Sequence, residues 1–214
     1  MAEGEEAQTL APRDAADKGT ALALPAMDTH DAIARRTSTR VFKPEPVPRY
    51  QIERLIAAAV RAPNHKLTEP WRFAVLTGAS LQRYAEIRRA HRATRFADPN
   101  DPQAVKAIEK TFREHVETPA FVVVMCAVAE DPVRREEDYG ATMMAIENLM
   151  IAAAADGLGT YLRTGGILER PDVKALATVP EGYRIVGIVS LGHPARDEEP
   201  KRRTSAAELT TWLD

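Results

Sequence analysis

The chain has 214 residues, a formal net charge of -2 and a single cysteine. At roughly 100–200 residues per domain, this length makes one large domain or two small ones, with a core that needs no disulfide or metal. The balanced charge gives no general positive field, which argues against nucleic-acid binding. Cys126 lies in the apolar run 121–127 and is expected to be buried, which fits a reducing compartment.

Two segments bear on where the protein resides. The chain opens with the acidic residues Glu3, Glu5 and Glu6, whereas a signal peptide opens with a basic region. The longest uncharged apolar stretch, residues 119–129, is shorter than the roughly 20 residues of a membrane-spanning helix. We therefore expect a cytoplasmic protein without a membrane span.

Residues 1–26 show no sustained hydrophobic period, which predicts a flexible N-terminal extension or an arm that packs on another subunit.

Helix and strand signals alternate from the first predicted helix onward. Asp28 is the predicted N-cap of a short helix, and Pro48 begins a second helix that Pro63 ends. Residues 71–78 predict a strand, and Ser80 is the predicted cap of a third helix.

The second half of the chain contains the longest helical signal. Apolar spacing over 105–116 predicts an amphipathic helix, and residues 121–128 predict a continuously apolar strand. The segment 134–156 is apolar on nearly every side from Ala141 onward, so it is predicted to be a helix buried on all sides, and Gly157 is the natural residue to end it. The remaining signals are strands at 159–162 and 184–191, a short helix from Pro171 and a final helix from Ser205 to Leu213.

Familiar catalytic and metal-binding patterns are absent from the sequence. The five histidines lie far apart and form no metal-ligand spacing. Residues 157–162 begin like a dinucleotide fingerprint, but Leu162 stands where the third glycine belongs, and the segment follows a helix instead of a strand. Ser190 lacks the Gly-x-Ser-x-Gly spacing of a hydrolase nucleophile. Neither a metal site, a Rossmann site nor a serine hydrolase is predicted.

Three polar clusters remain as candidate binding sites. Arg35-Arg36-Thr37-Ser38-Thr39-Arg40 offers forked guanidinium donors and hydroxyls suited to a phosphate or polyol. Arginines at a helix C-terminus also complement the helix dipole, so this cluster could instead be solvated surface. The loop 61–73 is either a ligand-binding loop or a rigid connector. Residues 200–203 are either a second cationic arm or a solvated face.

These clusters, in this order, resemble the flavin-dependent nitroreductase family, and especially its small single-domain NAD(P)H nitroreductase-like branch. The resemblance spans residues 28–213 and is carried by the segments 35–42, 61–73, 157–165, 189–194 and 200–203 around the long apolar helix. It implies an α+β fold with three α/β/α layers, in which helices flank a mixed or antiparallel sheet around a long buried helix. Residues 27–214 would form this FMN-binding domain.

The resemblance also implies a set of cofactor ligands. It assigns FMN binding to Arg35, Arg36, Thr37, Arg40, Arg61, Asn64, His65, Leu162, Arg163, Thr164, Lys201 and Arg203. Arg61 and His65 would come from the other subunit, because family members bind flavin in a dimer interface. The commonest family spacing is Arg-Arg-Ser-x-Arg, and the extra residue before Arg40 leaves open whether Ser38 or Arg40 fills a role that is assigned here to its neighbour. A weaker implied contact, with the nicotinamide nucleotide, involves Ala152, Ala153, Ala154, Ala155, Asp156 and Gly157.

The implied activity is that of an FMN-dependent NAD(P)H oxidoreductase, a homodimer that works by a ping-pong mechanism on nitroaromatic or quinone acceptors. The alternatives are a flavin-dependent dehydrogenase or dehalogenase of a specific metabolite, and a non-catalytic flavin-binding protein. FMN carries its own reactive ring, so no catalytic side chain is expected. Arg40 and Arg163 are the candidates to stabilise the negative charge of the reduced flavin. No nucleic-acid, metal or membrane partner is expected.

Overall fold

The computed structural model describes residues 27–213, and the predicted extension 1–26 lies outside the described residues. Four strands form one sheet in the order β1-β2-β4-β3, and every neighbouring pair is antiparallel. The strands are β1 (Trp71–Leu76), β2 (Ala120–Ala127), β3 (Gly159–Arg163) and β4 (Tyr183–Gly192).

Helices cover both faces of this sheet. They are α1 (Thr29–Arg35), α2 (Arg49–Ala59), α3 (Gly78–Ala93), α4 (Pro102–Val116), α5 (Pro132–Ala155), α6 (Pro171–Leu176) and α7 (Ala206–Leu209), with 3-10 turns at His65–Leu67 and Gly166–Glu169. The predicted α+β fold is confirmed.

Strand β2 explains the three layers. Val122, Val124 and Cys126 pack in one apolar cluster with α2 and α5, whereas Phe121, Val123 and Met125 pack in a second cluster with α3 and α6. Successive strand side chains point to opposite faces of a sheet, so a strand buried on both faces must be apolar at every position. The predicted burial of Cys126 is confirmed, and burial raises the pKa of its thiol.

Helix starts follow local capping chemistry. The carboxylates of Asp28, Asp101 and Asp131 each accept a hydrogen bond from a backbone N–H in the first turn of α1, α4 and α5, respectively. The start predicted for α3 was wrong by three residues. Thr77 is its N-cap, and Ser80 lies at the third helical position, where its hydroxyl accepts from the Thr77 N–H in a capping box.

Helix α5 is not buried on all sides, which corrects the sequence-based prediction. Leu149 and Ala153 are fully buried against the sheet, but Met144 is 44% exposed and Glu147 is also exposed. The helix therefore has one face in the core and one face open in the single chain. The last helix is also shorter than predicted, because it ends at Leu209.

Among residues 27–213, no helix combines the length and the apolar character that would be required to cross a bilayer.

The burial of α5 generates a stability prediction. Leu149→Ala is expected to lower the free energy of unfolding by about 2–5 kcal/mol, because it leaves a cavity between α5 and the sheet. Urea denaturation measures this change. Val105→Ala on the exposed side of α4 is the control and should change stability by no more than about 0.5 kcal/mol. Equal losses in both variants would contradict the assignment of Leu149 to the core.

Candidate functional site

A pocket of about 460 Å³ lies where α1 and α5 end. Arg35, Arg36 and Thr37 line it on one side, and Ala154 and Gly157 line it on another. Residues from the first predicted cluster and from the predicted nucleotide segment thus share one pocket. Both helices point their C-terminal ends here, where the helix dipole is partially negative, and this favours cationic side chains.

A close backbone approach brings the arginine cluster to the pocket. The segment after α1 runs beside β3, and the Thr39 N–H donates to the Thr160 carbonyl oxygen at 2.9 Å. A Cβ atom on Gly159 would lie 2.5 Å from Thr39 Oγ1, which is too close for any side chain. Gly159 is therefore required for this segment to lie against β3. Thr39 belongs to the predicted polar cluster but was not assigned to the cofactor, and it is buried and lines the pocket.

The turn after α5 shapes the floor of the pocket. Gly157 has φ +73°, and the N–H groups of Gly157 and Leu158 donate to the carbonyl oxygens of Ala154 and Ala153. This pattern is the usual C-terminal motif of a helix, so the prediction that Gly157 ends the helix is confirmed. The motif satisfies carbonyl groups that would otherwise face the pocket without hydrogen bonds.

Two ion pairs tie the pocket to α5 and α2. Arg36 Nε lies 3.3 Å from Glu147 Oε1, and the Arg36 side chain is only 19% exposed. Arg54 lies 2.6 Å from Asp156 Oδ2. The second contact is an ion pair without hydrogen-bond alignment, because that oxygen has no hydrogen-bond partner among the described residues. Asp156 therefore faces a cation of α2, and Arg36 is held in place.

An acidic segment forms the remaining wall of the pocket. Asp197, Glu198 and Glu199 line it, and Glu198 pairs with Arg196 at 2.9 Å. Lys201 and Arg203 follow this wall and are both exposed. Sequence reasoning missed the carboxylates, although the acidic run after His193-Pro194 was a visible signal.

Asn64 and His65 lie at the other end of α5. They line a separate, more open concavity with Gly140 and Met144, and His65 Nδ1 is 3.7 Å from Glu137 Oε1. From Gly140 to Ala154 there are 14 residues, which is about 21 Å along a helix at 1.5 Å per residue.

Among the predicted FMN ligands, Arg35, Arg36 and Thr37 therefore form a first group at the end of α5, and Asn64 and His65 form a second group that one chain does not bring to it. Arg61 belongs to the second group in sequence and is exposed.

The predicted ligands on β3 face both sides of the sheet. Leu162 lies on the α5 side, close to Gly187, whereas Arg163 lies on the α3 and α4 side. Arg163 Nε donates to Ser190 Oγ at 2.9 Å, and burial lowers its pKa. Thr164, the next residue, is exposed.

Tyr161 contacts both of the arginines that were predicted as candidates to stabilise a reduced flavin. The guanidinium carbons of Arg40 and Arg163 lie 5.1 Å and 4.9 Å from the centre of its ring. Arg40 also donates to the Tyr161 hydroxyl at 3.5 Å and is exposed, whereas Arg163 is largely enclosed. Cation–π attraction of this kind holds a guanidinium over the aromatic ring.

Behind Arg163 lies a buried histidine. His115 is 1% exposed, its Nδ1 is 2.7 Å from the Thr111 carbonyl oxygen, and Arg88 Nε donates to its Nε2 at 3.1 Å. These contacts require a neutral ring with the proton on Nδ1. Burial, together with the charges of Arg163 and Arg88, lowers the pKa of His115 to about 3.

The sequence matches the family model of the nitroreductase family over residues 33–193. The chain belongs to the nitroreductase family. YfhC of Bacillus subtilis, assigned by name to the NAD(P)H nitroreductases, is 30% identical over 86% of this chain and 93% of its own length. A Thermus thermophilus protein named NADH dehydrogenase is 25% identical over 88% of this chain and 98% of its own length.

Solved structures agree with this assignment. A nitroreductase-like family protein from Bacillus cereus is 27% identical, with a TM-score of 0.74 over 88% of this chain and 97% of its own. The FMN- and NADPH-dependent nitroreductase NfnB from Sphingopyxis, at 18% identity and a TM-score of 0.72, shares the fold over 88% of this chain and 100% of its own. The resemblance to the nitroreductase family that the sequence indicated is confirmed.

The environment of His115 predicts a pH dependence of stability. The pKa of this group is lower in the folded protein, at about 3, than its ordinary 6.5, so only the unfolded chain binds a proton between these values. Stability is therefore complete above pH 6.5 and falls as the pH is lowered toward 3. At pH 5 the loss from this one group should be about 2 kcal/mol.

Urea denaturation at pH 7.5 and pH 5 tests this expectation. His115→Gln should remove this share of the loss, and His30→Gln, at an exposed position on α1, should retain it. An equal loss in His115→Gln and the parent protein would show that His115 is not held neutral.

Proposed function

We propose that the protein is an FMN-dependent NAD(P)H oxidoreductase that delivers two electrons to nitroaromatic or quinone acceptors in a ping-pong sequence. Family membership supports the flavin chemistry. The observation that carries the proposal is the shared pocket of Arg35, Arg36 and Thr37 with the end of α5. Forked guanidinium groups beside a hydroxyl are the donors that a phosphate ester requires.

Arg36 and Thr37 are proposed to hold the FMN phosphate. Arg36 is already oriented by Glu147 and mostly enclosed, so little side-chain entropy is lost when it binds an anion. The partial negative charges at the ends of α1 and α5 oppose a phosphate, and two adjacent guanidinium groups offset this. Lys201 and Arg203 are proposed to add charge from the far side of the acidic wall.

Bound FMN supplies the redox chemistry, so the chain needs only to bind, orient and tune it. The reduced ring is negatively charged and is stabilised by a nearby cation. Arg40 is the better candidate for this role, because it is exposed and donates to the Tyr161 hydroxyl, whereas Arg163 is enclosed and donates to Ser190. Leu162 and Thr164 would contribute apolar surface and backbone N–H groups.

The complete site is proposed to form in a homodimer. A two-fold axis across the open face of α5 would place two α5 helices antiparallel, so that each helix brings its Asn64 and His65 end to the phosphate pocket of the other chain. The half-exposed Met144 on this face supports the arrangement. The exposed tail supports it as well, because Trp212 and Leu213 are 85% and 91% exposed in the single chain.

The nicotinamide nucleotide is proposed to approach along residues 152–157. This segment ends α5 and borders the pocket through Ala154 and Gly157. Its small side chains leave room for a planar ring to come close, and Asp156 is neutralised by Arg54. Departure of the nucleotide would then leave the same face free for the acceptor, as a ping-pong sequence requires.

Reduction of the bound cofactor tests the proposal directly. The purified protein, reconstituted with FMN, is expected to lose its flavin absorbance when NADH or NADPH is added without oxygen, and to recover it when a nitroaromatic or quinone is added. Bound FMN that neither nucleotide reduces would favour a non-catalytic flavin protein. Reduction without reoxidation by these acceptors would favour a dehydrogenase or dehalogenase of a specific metabolite, and failure to bind FMN would refute the proposal.

Mixing two variants that each bind FMN weakly tests the shared site, at an FMN concentration that saturates only the parent protein. Arg36→Ala is expected to weaken FMN binding by about 1.5–3 kcal/mol, the usual value of a hydrogen bond to a charged group. Asn64→Ala should impair the site from the other subunit. A heterodimer of the two carries one intact site, so random mixing should restore about a quarter of the parent activity.

The control for this experiment is Arg83→Ala, which removes an exposed arginine of α3 far from both groups and should leave FMN affinity unchanged. No recovery of activity in the mixed dimer would show that both groups of ligands serve the same chain.

A further inference from the structure

The loop between α2 and β1 contains an unusual run of backbone conformations. Lys66, Leu67 and Glu69 have φ values of 52°, 53° and 42°. None of them is glycine, and side chains of L-residues make this left-handed region unfavourable. Such residues persist only where their surroundings enforce the conformation, and they concentrate at functional sites.

A buried carboxylate of α5 enforces this conformation. Thr68, between the left-handed residues, donates its hydroxyl hydrogen to Asp138 Oδ1 at 2.6 Å. The Asp138 side chain is only 3% exposed, and its Oδ2 lies 3.6 Å from Arg134 Nε. A carboxylate removed from water to this degree is costly unless both oxygens are engaged, so the Thr68 contact is strongly favoured.

A second hydrogen bond closes the loop on itself. Asn64 Oδ1 accepts from the Glu69 N–H at 2.9 Å, and Asn64 Nδ2 donates to the Ala62 carbonyl oxygen at 3.4 Å. The amide of Asn64 is thereby fixed by the position of residue 69, which in turn depends on Thr68. The chain from Asp138 to Asn64 is continuous through these contacts.

The same turn of α5 also faces His65. Glu137 precedes Asp138 in sequence, and its Oε1 is 3.7 Å from His65 Nδ1. One pair of adjacent carboxylates thus contacts the loop at two places, His65 from the outside and Thr68 from within. Leu67, between these two residues, is 81% exposed and is not held by burial.

We propose that Asp138 is a positioning residue that, through Thr68, holds the loop 64–69 in the left-handed conformation that presents Asn64 and His65 to the flavin site of the partner subunit. This inference rests on the proposed function, because that function gives Asn64 and His65 their role. Without the hydroxyl, the loop is free to return to negative φ values, and the amide of Asn64 and the ring of His65 turn away. The effect on the cofactor is indirect, since Asp138 itself lies inside the protein.

Thr68→Val removes the hydroxyl and keeps the side-chain shape. It is expected to raise the dissociation constant of FMN about tenfold, as loss of a well-oriented polar contact does. Thr68→Ser keeps the hydroxyl and should restore the affinity of the parent protein. Thr111→Val is the matched control, because its hydroxyl bonds only to the Ala107 carbonyl oxygen within α4.

Affinity is measured by quenching of flavin fluorescence when FMN is added to the flavin-free protein. The visible circular dichroism of the bound flavin gives a second reading, because it changes when the groups around the ring are reoriented.

Hydrogen exchange at the Glu69 amide provides a reading that needs no flavin. In the flavin-free protein, this amide should exchange at least about tenfold faster in Thr68→Val than in Thr68→Ser or Thr111→Val, because the loop opens locally. Asp138→Asn keeps an acceptor oxygen and loses the charge, so the Glu69 amide in this variant should exchange at a rate between those in Thr68→Val and Thr68→Ser. This variant also serves if Thr68→Val does not fold.

The two readings separate the possible results. Faster exchange together with weaker FMN binding and serine rescue supports the proposal. Unchanged exchange refutes the proposal that the Thr68–Asp138 hydrogen bond holds the loop. Faster exchange with unchanged affinity and dichroism refutes the link between this hydrogen bond and the flavin site. If the parent protein binds no FMN, the proposed function fails, and the role of Asp138 toward the flavin fails with it. The exchange rates alone then decide whether the Thr68–Asp138 hydrogen bond holds the loop.

Discussion

The burial of one face of α5 against the sheet is the constraint on which the rest of the molecule depends. Leu149 and Ala153 fix the helix on the core, and its length of 24 residues, about 36 Å, then determines where the two polar regions lie. Its first half holds Asn64 and His65 through Glu137 and Asp138, and its last turn borders the arginine pocket.

Electrostatics in this fold are local and directional. The chain has a net charge of -2, yet arginines gather where α1 and α5 end, and carboxylates gather on the opposite wall of the same pocket. Arg163, in contrast, is a single enclosed charge, which lies beside a neutral His115 and donates to the Ser190 hydroxyl. Neither arrangement can be inferred from total charge, because each depends on which face of a strand or end of a helix carries the residue.

Sequence patterns predicted the elements because each pattern is read within a few residues. Asp28 as an N-cap, Gly157 as a helix end and the apolar β2 all follow from short-range rules. The separation of Arg36 from Asn64 along α5 does not follow from such rules, because it depends on the sides from which α1 and α2 approach α5. Only the family resemblance implied it, by assigning His65 to the other subunit. The left-handed conformations at Lys66 and Glu69 were also not predictable, since no glycine marks them and Asp138 lies about 70 residues away in sequence.

The distance of about 21 Å between the two ligand groups along α5 has a thermodynamic consequence. In the proposed dimer, each cofactor bridges residues of both chains, so cofactor binding and subunit association share one free-energy cycle. The factor by which subunit association tightens FMN binding equals the factor by which bound FMN tightens subunit association, so dilution that separates the subunits also releases cofactor. In such a dimer, protein concentration becomes a variable of catalysis, because a protomer alone lacks the cofactor contacts that its partner would supply.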